Sequence, residues 1–330
     1  MTLADAVRAT VRATRHDEVA WGLALKIGNH VATALLALWG VVSIVFIALD
    51  ATGAPLTLFL TDSMTHEDMN QLVQNLGFDR PLHQRYFDFL SQVFTGQFPN
   101  SLQYPKQSAL EIVLVRAPAS LQLGLSALIL GTFLGLAGGY VAAFTRSRIV
   151  RGAIETLNAI FLSIPAFVLG FGLIIVFSLW LRWLPPNGGD LRAMVLPATT
   201  LSLLLAVPIS RVFTTTLLET VDQDYVQTAV STGRTWRSIR FINIVPNAFS
   251  PVLQVIGIQL AGLLGGTVVV ENLFQWPGIG RVMTTATANQ DYPVIIAGVL
   301  IASSAFIVVS LLTNIAQTLI DPRTRAGGNN

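Results

Sequence analysis

The 330-residue chain contains no cysteine and only four histidines, His16, His30, His66 and His83. Without cysteine there is no disulfide framework, no thiolate nucleophile and no Cys-type zinc site. Without histidine beyond residue 83, no serine in the later apolar runs has an imidazole base, which excludes a Ser–His hydrolase within the membrane. Charge is scarce as well. Asp, Glu, Lys and Arg make up 12% of residues, against about a quarter in an ordinary soluble domain. So thin a coat excludes a water-soluble enzyme of this size and a disordered tail. A formal net charge of +2 is too small for a nucleic-acid partner. The two lysines, Lys26 and Lys106, lie in Leu-Lys-Ile and Pro-Lys-Gln, so there is no Gly-Lys-Ser/Thr loop to hold ATP.

What the chain has in quantity is apolar length: 52% hydrophobic residues and a mean hydropathy of +0.62. Crossing roughly 30 Å of hydrocarbon takes about 20 mostly apolar residues. Six charge-free runs reach that size: 27–49, 117–145, 156–181, 193–210, 241–270 and 292–320. Backbone polar groups must be paired internally in lipid, so the runs are helices, and the expected class is an all-α polytopic membrane protein with six spans. Pro246 and Pro251 interrupt the fifth run, which places the start of its helix near Val252 and leaves 241–251 as an interfacial approach. The spans are expected at 27–49, about 120–144, about 156–181, about 193–210, about 252–270 and about 293–317. Pro197 and Pro208 bracket the short fourth span.

Lys and Arg set the orientation. Residues 1–26, the loop after the second span (Arg146, Arg148, Arg151), the loop after the fourth (Arg211, Arg234, Arg237, Arg240) and the tail hold 13 of the 20; the opposite side holds seven. Both termini are therefore expected in the cytoplasm, with the 50–116 segment and the 271–291 loop outside. Trp180 and Trp183 suit an outer aromatic belt. The first apolar run is too long for a cleaved signal and reads as a retained anchor. The 1–26 lead reads as a short surface helix or as disordered chain, and 326–330 as a tail.

The spans contain no deep ionisable group: Glu155 and Arg211 lie at span ends, where they reach water. The chain shapes a path without energising one, so flow is passive or driven by another subunit. The 219–246 loop is the most patterned cytoplasmic stretch. Asp222 and Asp224 are N-cap candidates, 225–232 reads as a short helix stopped by Gly233, and 235–242 as a second one. Two short helices hinged at a glycine form a knob suited to receiving a push.

Here the residues carry a resemblance. Ala229, Gly233 and Pro246 resemble the "EAA" loop of ABC-importer permeases. Asp224-Tyr225-Val226, Ile244-Val245-Pro246-Asn247-Ala248, Val270-Glu271-Asn272-Leu273-Phe274-Gln275-Trp276-Pro277-Gly278-Ile279-Gly280, Asp291-Tyr292-Pro293-Val294 and Asp321-Pro322-Arg323-Thr324-Arg325 look like the dipeptide/oligopeptide/nickel permease family. Leu76-Gly77-Phe78-Asp79-Arg80-Pro81-Leu82 with Tyr86 matches its first-subunit type.

The resemblance implies a type I ABC-importer permease with its core over 117–325, non-catalytic and multi-pass in the bacterial inner membrane. Its partners would be a homologous second permease, two ATP-binding subunits, an extracytoplasmic substrate-binding protein and membrane lipid, with no nucleic acid. ATP and Mg would be bound by the partner subunits, and no cofactor or metal by this chain. Tyr225, Val226, Thr228, Ala229, Thr232 and Gly233 would couple to the ATPase. Glu271, Phe274, Trp276, Pro277, Gly278 and Gly280 would shape the outer mouth, with Trp276 anchoring it at the interface. The cargo would be a short peptide, or nickel or a metallophore complex as the alternative; a gradient-driven carrier or channel fits the residues less well. Gly53-Ala54-Pro55 replaces the family's Gly-Asp-Pro, and Gly96-Gln97-Phe98-Pro99 its Gly-Asp-Leu-Gly. Both departures lie in the outer segment and bear on the cargo and its receptor rather than on the fold.

Overall fold

The computed structural model describes residues 3–52 and 80–320. The Gly53-Ala54-Pro55 element, residues 76–79 of the outer motif, the Asp321–Arg325 motif and the 326–330 tail lie outside them. Among the described residues the named elements are all helical. Five helices are long and apolar enough to span a membrane, and a bent helix pair makes a sixth if counted as one span.

Helix α1 runs over Leu3–Thr52 without interruption, so from Leu3 onward the lead is neither a separate surface helix nor disordered. Its apolar part, Leu25–Ala48, packs on the last helix of the chain. Helix α2 (Leu82–Thr95) is pinned to the end of α1 by polar and aromatic contacts. Arg85 pairs with Asp50 at 2.5 Å, the Ser43 and Tyr86 hydroxyls share a 2.7 Å hydrogen bond, and Phe46 meets the Tyr86 ring edge-on at 5.2 Å.

Helix α3 covers Ala109–Phe144, beginning about three turns before the expected 120. A charge-free run stops at Arg116, but a helix leaving the bilayer can carry Glu111 and Arg116 into water, and Pro118 is accommodated inside it. The expected third span is corrected to two helices, α4 (Arg148–Ser163) and α5 (Ala166–Leu173). They are bent by 110° from one another, and α5 continues as a π-helical segment, Ile174–Trp180. The break has a local cause. Pro165 disfavours helical geometry at the residue before it, and Ile164 is extended at φ −90°, ψ 124°. Arg148 and Arg151 thus belong to α4 rather than to a loop. The Arg151 Nε donates to the Ala142 carbonyl at 3.0 Å, placing a cation on the C-terminal turn of α3, where the helix dipole favours it.

Helix α6 spans Leu191–Val221 and passes through both Pro197 and Pro208. Asp190 caps it, accepting from the Ala193 N–H at 2.8 Å. It continues three turns past the expected 210, so the fourth span and the lead-in to the 219–246 knob are one rod. The knob consists of α7 (Asp224–Ser231) and α8 (Trp236–Ile239), followed by a π-helical turn, Arg240–Ile244. Neither aspartate caps α7: its N-cap is Gln223, and Asp222 closes α6. Helix α9 (Val245–Leu273) follows directly, so the fifth span starts at Val245 and not near Val252. Pro246 sits in the first turn, where no intrahelical N–H is needed, and Pro251 is absorbed one turn further on. Helix α10 (Ile279–Ala288) occupies the expected outer loop, and α11 (Tyr292–Ile320) completes the bundle.

The core is centred on α3 against α6. Gly131, Gly135 and Gly139 recur every four residues along one face of α3, and a Cβ on any of them would come within 2.8 Å of the Ser202, Ala206 or Ser210 carbonyl of α6. Small residues at this spacing let helix backbones approach closely where no water drives them together. Gly135→Val is therefore expected to separate the two helices at a cost of about 1–3 kcal/mol of overpacking and to lower the level of folded protein recovered from membranes. Gly262→Ala is the control, because a Cβ there has no neighbour within 4 Å among the described residues. Equal recovery of the Gly135 and Gly262 variants would refute this account of the core.

Candidate functional site

The residues singled out from the sequence fall at opposite ends of α3. At 36 residues and 1.5 Å per residue, α3 is about 54 Å long.

At its C-terminal end lies the knob. The exposed face of α7 carries Tyr225, Thr228 and Val230, while Val226 and Ala229, three residues apart, are buried. The two buried side chains rest on a cluster that includes Ile209, Phe213 and Leu217 of α6 and Ala248 and Val252 of α9. A load on the outer face of α7 is therefore borne directly by two long helices. Thr228 and Thr232 spend their hydroxyls on the Asp224 and Ala229 carbonyls, at 2.9 and 2.8 Å. Gly233 takes the left-handed conformation, φ +74°, and its N–H donates to the Val230 carbonyl at 3.0 Å, the usual way to stop a helix. The knob is bound to the bundle by Arg240, whose guanidinium lies 5.0 Å from the Phe144 ring centroid and 5.8 Å from that of Trp236. Tyr140 stacks on Phe241 beside it.

At the N-terminal end of α3 lies the Glu271–Gly280 segment, and its centre is a buried carboxylate. Glu271 has no solvent exposure and sits in the last turn of α9, where the helix dipole disfavours an anion. Two donors hold it. The Ser120 hydroxyl of α3 donates to Oε1 at 2.6 Å, and the Arg281 backbone N–H donates to Oε2 at 3.3 Å. Ser120 Oγ in turn accepts the Ile279 N–H at 2.8 Å. Ile279 and Arg281 stand in the first turn of α10, whose N-cap is Gly278, a residue with no side chain to offer. Glu271 and Ser120 thus satisfy N–H groups that a capping side chain would otherwise take, and the positive end of the α10 dipole faces the carboxylate. The glycines follow from this. A Cβ at Gly278 would land on the Glu271 carboxylate, and one at Gly280 would come within 2.6 Å of the Val268 backbone.

Trp276 was expected at the membrane interface; it is instead 2% exposed and packed with Phe274, Leu123 and Leu196. Its indole N–H donates to the Ala119 carbonyl at 2.9 Å. A tryptophan whose only polar atom is satisfied inside the protein has no need of the interface. Ser120 escaped notice in the sequence because it lies 151 residues from its partner inside an apolar run, where nothing in the spacing marks it. Asp291, quoted only as part of a motif, is also buried at 2%. It accepts from the Ser101 hydroxyl and from the Leu102 and Gln103 N–H groups, the latter two at 3.2 and 3.4 Å.

With this geometry in hand, comparison with known proteins is decisive. Residues 135–326 match the family described as "Binding-protein-dependent transport system inner membrane component". The chain belongs to that family. It is a membrane-spanning permease, similar along most of its length to curated permeases. One is the "Probable peptide ABC transporter permease protein y4tP" of Sinorhizobium fredii, 32% identical over 88% of this chain and 96% of that protein. Another is the dipeptide transport system permease protein DppB of Lactococcus lactis, 31% identical over the same shares. The glutathione transport system permease protein GsiC of Escherichia coli K12 is 34% identical over 76% of this chain and 82% of its own. Among solved structures, the methionine ABC transporter MetNI in inward-facing conformations shares the fold of the permease, with a TM-score of 0.50 and 18% identity over 63% of this chain and 94% of that one.

Proposed function

We propose that this chain is a non-catalytic permease subunit of an ATP-driven importer of short peptides in the bacterial inner membrane. It pairs with a homologous second permease, the pair docks two ATPase subunits, one of them at α7 of this chain, and cargo is received outside from a substrate-binding protein. ATP and Mg are held by the ATPases, and alternating access follows when their closure loads α7 and, through Val226 and Ala229, tilts α6 and α9. The observation that carries the reading is the agreement of the relatives: each of the three permeases named above is named for the transport of a peptide or of glutathione. The buried anchoring of α7 supports the coupling step. The nickel alternative draws no support from these relatives and is not part of the proposal.

The test is reconstitution. The assembled complex in liposomes, supplied with ATP inside and the binding protein outside, should accumulate a labelled dipeptide, while unlabelled peptides compete and nickel salts do not. The chain alone, under an imposed ion gradient, should accumulate nothing. Concentrative uptake by the isolated chain would overturn the proposal.

A further inference from the structure

A cavity of about 550 Å³ opens between the 103–107 segment, the first turns of α3, helix α10 and the start of α11. This is the end of α3 that carries the Glu271 segment, the outer side in the orientation given above. Two arginines line it, Arg116 and Arg281, together with Gln103, Tyr104 and Gln107. Their polar groups are largely unspent. Among the described residues the Arg116 guanidinium makes no ion pair or hydrogen bond. Arg281 gives one Nη to the Gln275 carbonyl at 2.6 Å, which orients the guanidinium and leaves its other edge open. The buried Asp291 carboxylate also borders the cavity, but Ser101 and two backbone N–H groups already occupy it. Its role is to hold the 101–103 wall in place. Ile112, Val282 and Val294 supply an apolar side.

We propose that this cavity receives the C-terminal carboxylate of a short peptide. A guanidinium matches a carboxylate with two parallel hydrogen bonds, and the two carboxylates beside these arginines, Asp291 and Glu271, are already held by hydroxyl and backbone N–H donors. The amides of Gln103 and Gln107 and the Tyr104 hydroxyl can pair with peptide N–H and C=O groups, and the apolar side can take a side chain. The volume falls in the range of small-molecule sites. A lone acidic side chain from a docking protein would fill a small part of it and meet neither the amides nor the apolar side. The inference rests on the peptide-importer reading and deepens it by placing a cargo site in this chain rather than in the binding protein alone.

The experiment uses the full permease–ATPase complex in nanodiscs without the binding protein. Binding of dialanine and of dialaninamide is measured by calorimetry, alongside ATP-driven dialanine uptake by the same complex in liposomes with the binding protein added outside. Dialanine should bind at least about tenfold more tightly than its amide, as expected for loss of a charge-assisted pair, and Arg116→Gln should weaken it by a similar factor. The Arg116 side chain makes no bond among the described residues, so its variant should melt with the wild type. Arg281→Gln, which also loses the bond to Gln275, is the second variant. Uptake by the wild type without carboxylate-dependent binding would reject the site and leave the function standing. Absence of peptide uptake would reject the function itself. Arg116→Gln that weakens capture of the binding protein while dialanine binding is unchanged would reassign the cavity to docking and overturn the proposal.

Discussion

Glu271→Ala is expected to destabilise the outer end of the bundle strongly. The carboxylate accepts from Ser120 at 2.6 Å and from the Arg281 N–H at 3.3 Å with no water contact. A hydrogen bond to a charged group is worth about 1.5–3 kcal/mol, and a buried donor left unpaired costs a comparable amount. Losing both acceptors, with a cavity in their place, should destabilise the chain by about 3–5 kcal/mol. The Ile279 N–H keeps Ser120 Oγ, but the Ser120 hydroxyl proton and the Arg281 N–H have nowhere to go, so the first turn of α10 should fray. Thermal melting of the purified variant in detergent should show a clear fall, with cleavage by an added protease rising within 275–285. Ser120→Ala should show a smaller version of the same change. Glu271→Gln should lie between, since its amide keeps one acceptor for Ser120 but turns a donor toward the Arg281 N–H. A Glu271→Ala variant that melts within about 0.5 kcal/mol of the parent, the range of an ordinary surface change, would mean that the carboxylate does not organise the segment.

Gly233→Arg should separate folding from transport at the other end. A Cβ at this position would meet nothing within 4 Å among the described residues, and the backbone is left-handed at φ +74°. The cost of folding is thus limited to placing a non-glycine residue in that region, about 1–2 kcal/mol. The level in the membrane should match the parent. Uptake should nonetheless be abolished, because the arginine projects beside α7, where the ATPase subunit is proposed to dock. Gly233→Asn, which tolerates the left-handed conformation with a short side chain, should retain most of the uptake. Co-purification of the ATPase and peptide uptake are the two readouts. Normal uptake by the arginine variant would remove α7 from the coupling path, and loss of membrane level would show that the glycine serves folding alone.

These two positions were legible from the sequence to different degrees. The stop at Gly233 is local: a glycine after a short amphipathic stretch terminates a helix wherever it lies, and the left-handed φ follows. The importance of the Glu271 segment was visible in its unusual run of Pro277, Gly278 and Gly280 beside Trp276, but its geometry was not. A turn with an interfacial tryptophan was the local reading. The structure has a buried tryptophan, a buried carboxylate and a helix capped by side chains from two others. The same contrast holds for the spans. The apolar runs located the long helices because burial in lipid demands length, yet proline positions misplaced the fifth by seven residues. Pro246 lies in a first turn, where it does no harm. Only at Pro165 did a proline break a span, because no helix carried the backbone past Ile164.

What the sequence alone determined is the class of molecule and the rough location of its long helices: a charge-poor, cysteine-free chain with long apolar runs has no stable fold in water, and helices are its only recourse in lipid. What tertiary structure alone decided is which polar atoms meet. Ser120 meets Glu271 and Ser101 meets Asp291 across more than 150 residues, and Arg116 and Arg281, as far apart in the chain, line one cavity. They depend on how α3 lies against α9, α10 and α11, and no spacing along the chain encodes that, because helix packing is set by the shapes of whole faces rather than by neighbours in sequence.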